Sequence, residues 1–267
     1  MDKGHQVEYL FDKKMALQYD SWYQSAAGRH LQRMESDLIL DLLRPAYGQS
    51  LLDVGCGTGN HLLLFRQMGL EVTGVDPSEA MLGVAREKLG HLADLRLATA
   101  EDLPFDDNSF DVVTLITSLE FSPRPFLALA EAFRVARATV FIGALNSLSV
   151  NGIHRKLEAV FRDTVYRRAR FYSVWELGYM VRRILGLCKV EWGSAVFFPL
   201  PLHGWDRFFC RWIPRRRNPF GAFLGMRVEI LYTHRAALHP LGKGWMSPRR
   251  AEVSPAGTVA RAPGSGK

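Results

Sequence analysis

The stretch Leu51-Leu52-Asp53-Val54-Gly55-Cys56-Gly57-Thr58-Gly59-Asn60 constrains this chain more than any other. Leu51, Leu52 and Val54 are apolar strand formers. Gly55, Gly57 and Gly59 then remove every second side chain, so the turn can take positive φ and a ligand can touch the backbone. His61 to Met68 continues with helical residues. Strand, glycine turn and helix N-terminus together make a nucleotide or anion site. Two ligand classes are separated by spacing. A dinucleotide fingerprint, G-x-G-x-x-G, would need glycine where Asn60 stands. The pattern is instead D-x-G-x-G-x-G, with Asp53 inside the strand end. A carboxylate there repels a pyrophosphate and suits a cationic ligand.

Leu51–Gly59 resembles motif I of the class I S-adenosylmethionine (SAM) dependent methyltransferases. The resemblance implies SAM as cofactor, its amino group or sulfonium near Asp53, and Gly55, Cys56, Gly57 and Gly59 around its methionine end. Asp76 ends a second strand, 23 residues after Asp53, and an acid there can accept hydrogen bonds from both ribose hydroxyls. Pro77, beside Asp76, is a further candidate cofactor contact, and Asp76-Pro77-Ser78-Glu79 also fits a helix start, with Asp76 as N-cap, Pro77 at N1 and Glu79 at N3. A carboxylate has enough lone pairs for both roles. Ala100-Glu101-Asp102-Leu103-Pro104-Phe105 is similar to the family's adenine-side segment. It implies an acid on the adenine amino group, Glu101 or Asp102, and Leu103 as a wall of the ring. Tyr19-Asp20-Ser21-Trp22-Tyr23 resembles an aromatic segment that folds over the SAM pocket in small-molecule methyltransferases, so Tyr19 and Trp22 are candidate cofactor contacts. A peripheral helix burying its rings against the core is the competing reading.

Strands alternate with helices after Gly48. Expected strands cover Leu51–Val54, Glu71–Val75, Leu95–Ala98, Phe110–Ile116 and Thr139–Leu145, with helices over Pro77–Leu89 and Pro125–Ala136. This rhythm implies a parallel sheet with helices on both faces and a ligand at the strands' carboxyl ends. Ser173 and Glu176 form a capping-box pattern for a helix to Leu185, and strands are expected over Val190–Phe198 and Gly225–Thr233. The fold class is α/β: a Rossmann-like, seven-stranded, mostly parallel sheet with helices on both faces, plus a basic/aromatic C-terminal cap region. The resemblance implies that the last strand is antiparallel. Expected segments are a helical cover of the cofactor pocket (1–50), the SAM-binding core (51–145), a substrate-side insertion that completes the sheet (146–235), and a disordered tail (236–267) rich in Gly, Pro, Ser and Arg.

The segment Ile116-Thr117-Ser118-Leu119-Glu120-Phe121 leaves the fourth strand where the resemblance implies that the methyl is presented, and Thr117 is a candidate cofactor contact. No D/N/S-P-P-Y/F tetrad stands there, which counts against an exocyclic base nitrogen as acceptor, and no Pro-Cys pair supports cytosine chemistry. Glu120 could act as a base or a SAM contact, although an exposed acid is the commoner state after a strand. His154 and His203 are weak candidate bases, and no catalytic residue is assigned.

The resemblance runs over residues 19 to 145 and is closest to the small-molecule, quinone-methyltransferase-like branch. It implies methyl transfer from SAM to a small, partly apolar acceptor by in-line displacement. An RNA-directed methyltransferase, suggested by the basic insertion, and a SAM-binding regulator without turnover stay open. Cys56, Cys188 and Cys210 are too few and scattered for a disulfide framework or a zinc motif, so no metal is expected. No apolar signal core or run of about 18 apolar residues is visible, and a cytoplasmic location is expected. The net charge of +7 permits anionic partners. Basic and aromatic residues over Asn146–Arg170 and Pro199–Pro219 suggest peripheral membrane contact, with RNA as the weaker alternative.

Overall fold

The computed structural model describes residues 11–149, 169–197 and 215–230. Seven strands form one sheet: β1 (Ser50–Val54), β2 (Glu71–Asp76), β3 (Ala93–Leu97), β4 (Phe110–Ile116), β5 (Ala136–Leu145), β6 (Lys189–Ala195) and β7 (Phe223–Glu229), in the order β3-β2-β1-β4-β5-β7-β6. The pairs among β1 to β5 are parallel, and β7 runs antiparallel between β5 and β6. The helices are α1 (Lys13–Gln24), α2 (Ala26–Leu43), α3 (Asn60–Gln67), α4 (Glu79–Leu89), α5 (Pro125–Val135) and α6 (Val174–Leu185).

Successive residues of each central strand enter opposite layers, as the two-residue repeat of a strand requires. Leu51 and Val112 pack with Leu38, Leu42, Leu62, Phe65, Leu82 and Leu89 of α2, α3 and α4. Their neighbours Leu52 and Val113 pack with Leu129, Phe133, Leu177 and Val181 of α5 and α6. Both faces of the sheet are therefore covered, which is why these strands read as nearly continuous apolar runs.

Two boundaries differ from the sequence expectation. Residues 11–43 hold a pair of helices, broken at Ser25, whose side chain accepts from the Gly28 N–H and caps α2. Helix α4 begins at Glu79 rather than Pro77, because Ser78 is the cap: its hydroxyl accepts from the Met81 N–H at 3.2 Å. Asp76 is thus not the N-cap. The expected capping box of α6 is present, with Ser173 and Glu176 each accepting from the other's backbone N–H.

Candidate active site

The carboxyl ends of β1, β2 and β4 meet at one edge of the sheet, and the glycine turn sits there. The Gly55 and Cys56 N–H groups donate to the Val75 carbonyl at 2.8 and 2.9 Å, which locks the turn against β2. Gly55, Gly57 and Gly59 all have positive φ (75°, 52° and 78°). Their surroundings differ. A Cβ on Gly55 would collide with the Ser118 side chain, whereas one on Gly57 would meet no protein atom within 4 Å. Gly57 therefore faces open space that a side chain would fill and a ligand can occupy.

Two buried carboxylates flank this turn. Asp53 is 1% exposed and Asp76 7%. The Thr114 hydroxyl donates to Asp53 Oδ1 at 2.6 Å. Asp76 accepts from the Gly57 N–H on Oδ2 and the Ser78 N–H on Oδ1, both at 2.9 Å. Burial pushes Asp53 up to about 7, against the lowering effect of Thr114 and helped by the charge of Asp76. Burial likewise pushes Asp76 up to about 6, against its two backbone hydrogen bonds. Two desolvated acids on neighbouring strands favour a ligand that brings positive charge or hydroxyl donors. The same burial pushes the Cys56 thiol up, so Cys56 is a packed apolar group in the turn rather than a nucleophile.

The remaining expected site residues lie around the same edge. Pro77 follows Asp76 into the cap of α4. Glu101, Asp102 and Leu103 lie between β3 and β4. Glu101 is 8% exposed, and its Oε1 accepts from Ser122 Oγ at 2.5 Å and the Arg124 N–H at 3.3 Å. Asp102 is exposed, and Leu103 is buried at 3%. The two acids expected to share a role thus stand in opposite environments. Thr117 leaves β4 with φ of 49° and donates its N–H to the Gly143 carbonyl at 2.8 Å.

Tyr19 and Trp22 stand on α1 and cluster on Tyr23, with ring centroids 4.9 and 5.0 Å away. Tyr23 is buried, while Trp22 is 36% exposed. The segment leading into α1 reaches the strand ends through Phe11. Its carbonyl accepts from Ser78 Oγ at 2.7 Å, and its ring meets Phe121 edge-on at 5.2 Å. Lys88 of α4 joins α1 to the helix after the glycine turn, donating to Asp20 and, at 2.6 Å, to Asn60 Oδ1.

Glu120 reverses the expectation of an exposed acid. It is 2% exposed, in a helical turn over Leu119–Phe121 that tucks Leu119 and Glu120 inward together. Its Oε1 accepts from the Leu145 N–H at 2.5 Å, while Oε2 is buried with no hydrogen-bond partner. Burial pushes Glu120 up to about 7. Ser118, two residues earlier, also has a buried hydroxyl with no partner. The contact that holds it inward is to Leu145, 25 residues away, so no local pattern in the sequence marks this acid as buried.

His154, His203, Arg155, Arg162, Arg167, Trp205 and the expected tail lie outside the described residues. Among the described arginines of the expected basic cap, Arg215 faces Asp37 at 3.5 Å and Arg216 faces Asp41 and Glu191 at 3.1 and 3.3 Å. These two arginines fasten the segment before β7 onto α2 and β6. No group of three potential metal-ligating side chains converges among the described residues.

Residues 52–142 match the model of the methyltransferase domain family. The sheet order with an antiparallel β7, and the paired acids around the glycine turn, agree with that match. Residues 52–142 are a class I SAM-dependent methyltransferase domain. The chain is 34% identical over 143 residues to a demethylmenaquinone methyltransferase of Listeria welshimeri, a span covering 50% of this chain and 61% of the relative. It thus spans about three-fifths of that relative's length. A solved SAM-dependent methyltransferase from Thermotoga maritima, described as a possible histamine N-methyltransferase, shares the fold with a TM-score of 0.66 at 23% identity, over 83% of this chain and 98% of that one. Magnesium protoporphyrin IX methyltransferase from Synechocystis PCC 6803, solved with bound SAH, gives 0.60 at 16% identity, over 85% and 99%.

Proposed function

We propose that this chain transfers the methyl group of SAM to a small, partly apolar acceptor by in-line displacement. The observation that carries the reading is the pair of buried carboxylates, Asp53 and Asp76, on either side of a glycine turn that faces open space at Gly57. Asp53 would meet the positive end of the cofactor, and Asp76 the ribose hydroxyls. Glu101 is favoured over Asp102 for the adenine side, because it is buried at the sheet edge and already accepts from two donors. Pro77, Leu103 and Thr117 would line the bound molecule, and the segment through Phe11 and α1, with Tyr19 and Trp22, would cover it.

SAM supplies the electrophilic methyl on its sulfonium, and the chain supplies position. Holding the two reactants in line is worth on the order of 7–11 kcal/mol in favourable cases. A methyl acceptor that starts protonated sheds a proton as it is methylated. Glu120 is the buried acid on the segment leaving β4 with an oxygen to receive it. The relatives named demethylmenaquinone methyltransferase support a quinone-ring compound as the acceptor class. We place the reaction in the cytoplasm, and no helix among the described residues is long and apolar enough to cross a membrane.

Titration calorimetry with SAM and with a nicotinamide dinucleotide tests the cofactor. Binding of SAM alone is expected, and preference for the dinucleotide would sink the reading. Incubation of the protein and labelled SAM with a metabolite extract tests the reaction. The label is expected in a low-molecular-weight, organic-soluble compound, and label in RNA would redirect the assignment.

A further inference from the structure

The outer surface of α5 and α6 is distinct from the site and carries an unusual set of exposed side chains. On α6, Val174, Leu177, Met180 and Val181 face the core, as the periodicity of a surface helix demands. The opposite face is not simply polar. Trp175 is 62% exposed and Tyr179, one turn on, 57%. Arg182 and Arg183 follow on the next turn and are also exposed. On the neighbouring α5, Phe126 in the first turn is 41% exposed.

Both helices start at the carboxyl edge of the sheet. Helix α5 follows the turn that leaves β4, and α6 starts just after Tyr172, whose N–H donates to the Leu145 carbonyl at the end of β5. The aromatic side chains in their first turns therefore flank the edge at which the candidate site opens. The charges are one-sided. Over residues 124–135 and 169–187 the exposed charged side chains are Arg124, Arg170, Arg182 and Arg183 against Glu176 alone. Glu176 is also drawn into the capping box and lies 3.9 Å from Arg170.

We infer that this face, formed by Phe126, Trp175 and Tyr179 with Arg124, Arg182 and Arg183, seats on an anionic lipid surface. Trp and Tyr settle at the level of lipid headgroups because one end of each ring is apolar and the other polar. Arginines on the same face reach phosphates while their stems stay in contact with apolar surface. The occupant is an anionic bilayer: exposed arginines outnumber the exposed acids on these two helices, and Trp and Tyr stand on the same helix as Arg182 and Arg183, the pairing that suits the headgroup level. This inference uses no property of the cofactor site and stands apart from the proposed reaction.

The test is vesicle flotation of the full chain at low salt, with no cofactor or acceptor added. One vesicle set is phosphatidylcholine, and the other mixes phosphatidylcholine with phosphatidylglycerol. The wild-type chain is expected to float with the mixed vesicles only. R182Q/R183Q should lower its partition by on the order of tenfold or more, and W175A/Y179A should lower it comparably. All four side chains are exposed, so unchanged melting temperatures verify the fold of each variant. Absence of wild-type flotation, equal flotation with both vesicle sets, or full retention by either double variant would overturn the inference. Failure here leaves the methyl-transfer reading untouched.

Discussion

Asp76 is gripped by two backbone N–H groups and is still pushed up to about 6, while Asp53 is pushed up to about 7, both from 3.8. For acids raised in this way, the stabilising contribution is present below the unfolded value and is lost as pH climbs through the folded one. His61, which burial lowers to about 4, acts in the opposite direction over the same range. Melting of the free protein therefore mixes the two effects, and ligand binding separates them. A cation at Asp53 and hydroxyls on Asp76 favour the ionised carboxylates. SAM affinity should then be weak near pH 5, climb through pH 6 to 7, and level off above, with proton release measurable by calorimetry in buffers of different ionisation enthalpy. A flat profile would mean that neither acid meets the ligand. In Asp76→Ala the lost charge-assisted hydrogen bonds should weaken SAM by roughly 2–4 kcal/mol. Unchanged affinity would reduce Asp76 to a clamp on the Gly57 and Ser78 N–H groups.

Gly57 makes a sharper prediction at the same scale. Its φ of 52° strains any other side chain, yet no protein atom lies within 4 Å of an added Cβ. Gly57→Val should therefore remain folded, at a cost of about 1–3 kcal/mol, and lose SAM binding. The check is thermal melting with and without SAM, since a ligand that binds only the native state raises the transition. A normal rise in the variant would put the ligand elsewhere.

At the scale of elements, the placement of α2 depends on Gly225 and Gly193, two glycines in a row of three. Gly143, Gly225 and Gly193 align across β5, β7 and β6. A Cβ on Gly225 would come within 3.0 Å of Leu42 and 3.1 Å of Phe141, so the bare backbone lets α2 lie close on this half of the sheet. Gly225→Val should destabilise by about 1–3 kcal/mol through overpacking, read as a lower denaturant midpoint with little change in slope. A neutral result would mean that α2 shifts freely. The clasp of α1 is a second element-scale device. Lys88 and Asp20 are 19% and 14% exposed, so they are better shielded than a surface pair. Asp20→Asn should speed amide exchange across Lys13–Gln24 and accelerate SAM release, while exchange in β1 and β4 stays as before. Equal exchange in the helix would show that the aromatic cluster alone holds it.

Over the whole molecule, the sheet and its two helix layers account for the described core, from Ala16 to Val228. Residues beyond Pro240 are rich in Gly, Pro, Ser and Arg and have little apolar periodicity. Truncation after Pro240 should leave the melting temperature and SAM affinity close to those of the full chain. A large loss of stability would show that Trp245 or Met246 docks on the core.

The sequence by itself determined what local rules govern. The apolar runs placed all seven strands to within a few residues. The glycine spacing and Asp53 marked the turn, the second acid marked the end of β2, and Ser173 with Glu176 fixed the start of α6. Each of these depends on residues close in the chain, where period, φ and capping geometry act directly. Tertiary structure decided what depends on distant neighbours. Only packing shows that Ser78, free to reach the Met81 N–H while Gly57 and Ser78 N–H groups hold Asp76, is the cap of α4. Only packing turns Glu120 inward to Leu145, 25 residues away, and separates buried Glu101 from exposed Asp102. Arg215 and Arg216 read as part of a basic cap in the sequence, yet in the fold they meet Asp37 and Asp41 of α2. Burial and charge pairing belong to surfaces that exist only once the sheet has brought its strands together, and no local pattern encodes them.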